Sequence, residues 1–533
     1  MPTLNWIGKD KVINHHHNVP FRVLEHQYGF RADNADDKSE THSGNKIIHG
    51  DNLEALKALL PEYEGKIDCI YIDPPYNTGN EGWVYNDNVN DPHIKKWLGE
   101  VVGAEGEDFS RHDKWLCMMY PRLQLMRQLL SDNGAIFISI DDNEEAYLKM
   151  ICDEIYGKCN FVGIISWFKK SSPSNDAQFF SNDVEYIFVY AKNKNIWRPN
   201  RLQLTEKQLK YYQNPDNDSR GPWNSATYTC NKSKDERPNL YYSIINPNTQ
   251  EEIYPKSSAV WKYSKEVTEQ YLKDNIIFWG NDGKAKMPRI KKFLSEHKGV
   301  VNRTMWHYDD VDHTQGASTE LKELGFTGFA TPKPTRLIER IISIATNKDS
   351  IVLDSFAGSG TTAHSVFNKN EEDQGNRKFI LIELGDYAES LTAERVRRVM
   401  NSNCNNNKFE TSLGGSFDYY ELGAPLFNED NTLNEEVDEA RIREYIYYTE
   451  THEHLSSERD EAYPYLLDYR NDVGYFFYYK KGELTTLSHE TLSIVPRKAS
   501  HYVIYADICT ISKELLAKMN ISFKKIPRDI NRF

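Results

Sequence analysis

The sequence predicts an α/β protein: a mostly parallel sheet covered by helices on both faces, split by an inserted domain and followed by a small α+β region. Three observations carry this. From Asn45 onward, apolar runs of strand length alternate with segments of helical periodicity, the pattern of a parallel sheet between two helical layers. Between about 193 and 330 the alternation stops, and Asn, Pro, Gly and aromatic residues fall in irregular patches such as Tyr211-Tyr212, Trp223 and Tyr241-Tyr242. Beyond 330 it resumes, with a glycine loop between a strand and a helix.

Residues 1–44 form a polar arm without clear periodicity, and Lys46–His49 reads as a short strand. Leu53, Leu56, Leu59 and Leu60 recur at helical spacing, with Pro61 as the expected stop. Residues 68–72 form a buried strand running into Asp73-Pro74-Pro75-Tyr76. A helix over 115–130, a strand over 135–140, a helix over 144–156 and strands over 162–168 and 184–191 follow. After the insert, 335–345 is helical, 351–354 a strand, 356–360 the glycine loop, 361–368 a helix and 378–383 a strand. A Tyr-rich region with strand-like stretches at 474–480 and 501–506 ends the chain. The expected divisions are 1–44, 45–194, 195–330, 331–400 and 401–533.

At 533 residues the chain is long enough to bury its core without disulfides or metals. Its apolar runs fall far short of the roughly 18 residues of a membrane span, and its start lacks the pattern of a signal peptide. The 7 cysteines form no CxxC pair, which argues against a disulfide framework or zinc knuckle and fits a reducing cytoplasm. No cluster of metal ligands stands out. A net charge of -14 excludes a uniformly basic coat, but polyanion binding depends on where the cations lie. Lys284, Lys286, Arg289, Lys291 and Lys292 form a basic cluster within the insert, 429–461 is acidic and 513–532 turns basic again. Each run could equally be a solvated face.

Two motifs carry chemistry. In Val352-Leu-Asp-Ser-Phe-Ala-Gly-Ser-Gly-Thr-Thr-Ala363 a strand ends, a loop turns on Gly358 and Gly360, and a helix begins. Such glycines let the backbone approach a ligand, and the helix N-terminus favours an anionic group. Glu383 ends the next strand, where a carboxylate can accept hydrogen bonds from ribose hydroxyls, so an adenosine-containing ligand is expected. This spacing also fits a dinucleotide site. The second motif is Asp73-Pro74-Pro75-Tyr76. Successive prolines make a stiff turn without N–H donors, flanked by a carboxylate and an aromatic ring. Asp73 and the Pro74 carbonyl can accept the two hydrogens of an exocyclic amine while Tyr76 stacks on its ring.

Together these motifs resemble those of amino-group DNA methyltransferases that use S-adenosylmethionine. With the catalytic motif first and an insert between, the order resembles their circularly permuted beta class. The segments His112–Arg122, Ile136–Asp142, Asp216–Trp223 and Tyr505–Ile530 resemble the modification subunits of type III restriction–modification systems. The resemblance implies a Rossmann-like S-adenosylmethionine-dependent methyltransferase fold with an inserted target-recognition domain, acting on adenine N6 in double-stranded DNA. It implies Asp73, Pro74, Pro75 and Tyr76 as catalytic residues. Around the cofactor it implies Asp354, Phe356, Ala357, Gly358, Gly360, Thr361 and Glu383. Lys333, in Thr331-Pro-Lys-Pro334, would pack over the methionine end. Asp51 is similar to an acidic residue near the adenine, and could equally be a helix N-cap. His112 could be an ordinary surface histidine. The basic cluster is expected to contact DNA phosphates. A homodimer and a separate restriction subunit are implied partners, with the tyrosines after Asn401 suggesting an interface. Cytosine N4 as the target, or a specificity subunit without catalysis, are the alternatives; Asp at position 73 leans towards adenine. No GxxxxGK[ST] phosphate loop occurs, so this chain is not the helicase.

Overall fold

Strands from opposite sides of the insert lie next to each other at the centre of one ten-stranded sheet. In the computed structural model, which describes residues 3–78, 108–175, 177–401, 413–455, 461–495 and 499–527, these are β3 (Ile67–Ile72) and β8 (Ile351–Asp354). Gly79, Cys404, part of the acidic run and the tail beyond Pro527 lie outside the described residues.

The remaining strands are β1 (Arg22–Arg31), β2 (Lys46–His49), β4 (Leu130–Ile140), β5 (Phe161–Phe168), β6 (Val184–Ala191), β7 (Met305–Trp306), β9 (Lys378–Glu383) and β10 (Ser416–Pro425). Their order is β1-β10-β2-β9-β8-β3-β4-β6-β5-β7. From β10 to β4 every pairing is parallel. β1 joins β10, and β6 joins β4 and β5, in antiparallel register. The central strands read as unbroken apolar runs because both faces are covered. Ile70, Ile72, Ile136 and Ile138 pack in one core with residues of α1 (Asn52–Tyr63) and α2 (Asp108–Leu129). Cys69, Tyr71 and Phe137, which alternate with them, are equally buried. α4 (Thr335–Ala345), which follows α3 (Glu145–Cys152) in the chain, packs on β3 and β4. The arrangement is a Rossmann-like, doubly wound sheet.

Several expectations change. α1 runs through Pro61 to Tyr63. A proline so near the helix end forfeits one hydrogen bond, and the Glu64 N–H still closes on the Leu60 carbonyl at 2.9 Å. The arm 1–44 and the region after 401 are not separate from the sheet, since β1 and β10 form its edge. Their pairing joins segments about 390 residues apart, which no local pattern reveals. The insert is narrower than 195–330. The compact unit is Arg201–Asn302, and residues from Arg303 belong with the larger unit through β7 and the helix Thr314–Glu323.

Within the insert unit, strands Trp223–Thr227, Arg289–Phe293 and Ile277–Phe278 form a three-stranded antiparallel sheet. Tyr228, Ile244, Trp261, Trp279 and Ile290 build its core, with Tyr242 packed against it, whereas Tyr211 is exposed.

The C-terminal region adds the helix Glu439–Thr451 and a four-stranded sheet that contains both expected stretches. Its tyrosines largely face inward. Tyr447 and Tyr479 lie in a buried cluster, and the Tyr448 hydroxyl donates to Glu64 at 2.5 Å. Tyr445, Tyr469, Tyr475 and Tyr478 are partly buried against the region's two clusters, and Tyr463 is exposed. No helix among the described residues is long and apolar enough to cross a membrane.

Candidate active site

Because β3 and β8 are adjacent and parallel, with Cys69 opposite Val352, their C-terminal ends deliver both motifs to the same edge. Ligands of open α/β sheets bind at that edge. A cleft of about 310 Å³ lies there. Asp73, Pro74, Pro75 and Tyr76 line one side, while Asp354, Phe356, Ala357, Gly358, Thr361 and Glu383 line the other. Lys333 closes the gap between them.

The glycine loop is held from beneath. Asp354 accepts from the Phe356 N–H at 3.0 Å and the Thr362 hydroxyl at 2.5 Å, tying strand end, loop and α5 (Thr361–Asp373) together. Burial pushes its carboxyl up to about 7. Glu383 accepts from the Gly358 N–H at 2.6 Å and the Gly385 N–H at 2.8 Å. Burial raises this carboxyl too. Gly358 has φ +53°, and a Cβ there would stand 3.3 Å from the Phe329 ring, which also lines the cleft. Arg395, almost fully buried on α6 (Glu394–Asn401), donates to Ser359 Oγ at 3.0 Å and Thr361 Oγ1 at 2.9 Å.

The Asp73–Tyr76 turn is equally constrained. The Pro75 carbonyl accepts from the Trp115 indole at 2.7 Å. Asp73 receives the Lys333 ammonium at 2.8 and 2.7 Å and the Tyr76 hydroxyl at 2.8 Å. The same hydroxyl oxygen lies 3.1 Å from Glu185 Oε2. Burial and the neighbouring carboxylates hold its phenol far above the usual range, so it stays a donor. The next residue, Asn77, adopts φ +60° and donates to Glu144, whose same oxygen lies 2.7 Å from His112 Nδ1.

Residues 67–394 match the family model of the DNA methylases that comprises N6 and N4 methyltransferases. The chain belongs to the DNA methylase family. This methylase is 35% identical over 410 residues to the StyLTI Mod subunit, a type III restriction-modification enzyme subunit of Salmonella typhimurium, covering 72% of this chain and 61% of that one. It is 34% identical over 418 residues to the EcoPI Mod subunit of Escherichia phage P1, covering 72% and 63%. The type II methyltransferase M.KpnI of Klebsiella pneumoniae is 32% identical over 377 residues, covering 67% and 84%. The methylase thus spans about three fifths of the length of the two Mod subunits.

Three expected site residues are placed differently in the methylase. Asp51 does not line the cleft. One of its oxygens caps α1 through the Leu53 and Glu54 N–H groups, and the other lies 3.3 Å from the buried Arg122 guanidinium. Gly360 does not line it either. Its φ of +78° starts α5, and a Cβ would press on the Thr392 backbone at 3.0 Å. Lys291 is buried and donates to Asp216 at 2.5 Å and Asp218 at 2.9 Å, so its ammonium is held internally. Lys284, Lys286, Arg289 and Lys292 are exposed. His112, which could have been an ordinary surface histidine, reaches the segment after Tyr76 through Glu144 and Asn77. Glu185, Arg395, Trp115 and Glu144 were missed, because a lone charged or aromatic residue in a strand or helix carries no local signature.

Proposed function

We propose that this chain transfers a methyl group from S-adenosylmethionine to adenine N6 in double-stranded DNA, as the modification and specificity subunit of a type III restriction–modification system. The observation that carries this reading is the meeting of the Asp73–Tyr76 turn and the Glu383-anchored glycine loop in one cleft. The charge of that cleft supports it. Among the described residues that line it, Asp73, Asp354 and Glu383 face the single cation Lys333, itself bound to Asp73. A cationic sulfonium nucleoside suits this acidic lining, whereas the pyrophosphate of a dinucleotide gains nothing from it.

Glu383, held by the Gly358 and Gly385 N–H groups at the cleft wall, is the carboxylate that would accept from the ribose hydroxyls. Phe356, Ala357 and Thr361 would hold the rest of the cofactor. When bound, it supplies an electrophilic methyl group. The chain's own part is positioning and electrostatics. Asp73 and the Pro74 carbonyl accept the two amine hydrogens, which favours a pyramidal nitrogen with an available lone pair. The target base must leave the duplex stack to reach them. Stacking on Tyr76 offsets about 1–3 kcal/mol of that cost. The insert reads the sequence, with Lys284, Lys286, Arg289 and Lys292 on phosphates. The proposed role places the protein in the cytoplasm and carries two further expectations, a homodimer and a separate restriction subunit as partner.

The test is methyl incorporation into unmethylated duplex DNA, followed by nucleoside mass spectrometry. N6-methyladenine is expected, absent with Asp73→Ala. N4-methylcytosine, or no methylation by a folded cofactor-binding chain, overturns the reading.

A further inference from the structure

Glu185 belongs to neither motif, yet it reaches the catalytic turn from β6. We propose that Lys333 is a placeholder for the target amine, and that Glu185 receives its ammonium when the base enters. The proposal rests on the reading that Asp73 binds that amine.

Lys333 Nζ donates to both oxygens of Asp73, and the Tyr76 hydroxyl occupies one of them as well. The acceptor that the amine needs is therefore already engaged. A second carboxylate stands ready, with Glu185 Oε2 3.5 Å from the same ammonium and 3.1 Å from the same hydroxyl. A shift of under about 1 Å brings Lys333 to ordinary hydrogen-bond distance from Glu185. Glu185 is itself anchored from the other side, where Lys169 donates to Oε1 at 3.2 Å. Lys333 and Glu185 are both more than nine-tenths buried.

Two physical arguments give the arrangement a purpose. Without a base, a bare carboxylate in the cleft would be a costly unpaired charge, and Lys333 compensates it. During methyl transfer the amine nitrogen gains positive charge, so an ammonium left on Asp73 would oppose the reaction. Exchange to Glu185 moves that cation's hydrogen bonds off Asp73 and frees its oxygens to accept from the amine and face the developing charge. Asp73 and Glu185 balance Lys169 and Lys333, so the exchange alters no net buried charge. Burial acts to neutralise Lys333, but Asp73 and Glu185 outweigh it and keep the ammonium charged.

The experiment is a double-mutant cycle on the full chain, with tritiated S-adenosylmethionine and polymerase-amplified, unmethylated genomic DNA under single-turnover conditions. Glu185→Gln leaves Lys333 gripping Asp73. The expected result is a rate lowered roughly 10–100-fold, with DNA half-saturation changed less than threefold and calorimetric cofactor affinity unchanged. Adding Lys333→Met removes the ion to be displaced, and the double variant is expected to recover at least tenfold over Glu185→Gln. A merely structural role for Glu185 predicts no such recovery. A Glu185→Gln rate within twofold of wild type, or a cofactor-binding double variant no faster than the single one, overturns the proposal. Failure of the underlying reading is separate: it shows as an inactive wild type or an active Asp73→Ala.

Discussion

The Lys333 ammonium lies 2.7 Å from one carboxylate oxygen of Asp73 and 2.8 Å from the other, across 260 residues of sequence. This ion pair joins the segment before the glycine loop to the catalytic turn, so the two halves separated by the insert meet at the candidate reaction centre. Lys333, expected over the cofactor's methionine end, also sets the state of the catalytic carboxylate.

The two loop glycines should separate in their effects. A side chain on Gly358 enters the cleft against Phe329, whereas one on Gly360 presses on the Thr392 backbone. Both sit at positive φ, which costs a non-glycine residue roughly 1–2 kcal/mol. Gly358→Val is expected to weaken cofactor binding at least tenfold in calorimetry, with a modest loss of thermal stability. Gly360→Val is expected to lower the melting temperature more. Equal melting temperatures for the two variants would contradict this assignment.

Within the basic cluster, stability and DNA binding should divide between neighbours. Lys291→Ala strands Asp216 and the buried Asp218, although Arg220 still pairs with Asp218. A loss on the order of 3 kcal/mol in the insert is expected, seen as an earlier unfolding transition. Lys292→Ala should leave unfolding unchanged, weaken binding to all DNA sequences and reduce the salt slope by about 1. Normal stability of Lys291→Ala would show that the pair is dispensable.

Asp354 makes folding sensitive to pH. Its carboxyl is pushed up to about 7 by burial, against about 3.9 in an unfolded chain. Between those values the folded state keeps a proton that the unfolded state releases. Its contribution therefore falls as pH rises from about 4 to 7 and levels off above. Asp354→Asn removes this part, so its stability should decline less steeply than wild type between pH 5 and 7. Parallel curves from thermal unfolding at several pH values would refute the assignment.

The sheet edge sets where the chain can be shortened. Ending it near Asn401 deletes β10, which lies between β1 and β2. Such a chain is expected to lose cooperative unfolding altogether. Light scattering on the full chain should give a dimer at micromolar concentration; a monomer would sink that part of the proposed function.

Both chemical motifs were legible in the sequence because a strand, a tight turn and a helix start are local events. Proline and glycine restrict or free the backbone at the point where they occur. The central strands were legible for a related reason, since burial on both faces demands unbroken apolar runs. Only tertiary structure decided that β1 and β10 complete the sheet, because pairing between distant segments depends on register rather than on pattern. Only it decided that Asp51 caps α1 and faces Arg122, that Lys291 is buried, and that Tyr447 and Tyr479 pack in a core. A charged or aromatic residue carries no sequence mark of which partner will neutralise or cover it. Glu185 is the sharpest case: a single carboxylate in an apolar strand, whose role depends on Lys333 and Tyr76 arriving from elsewhere in the chain.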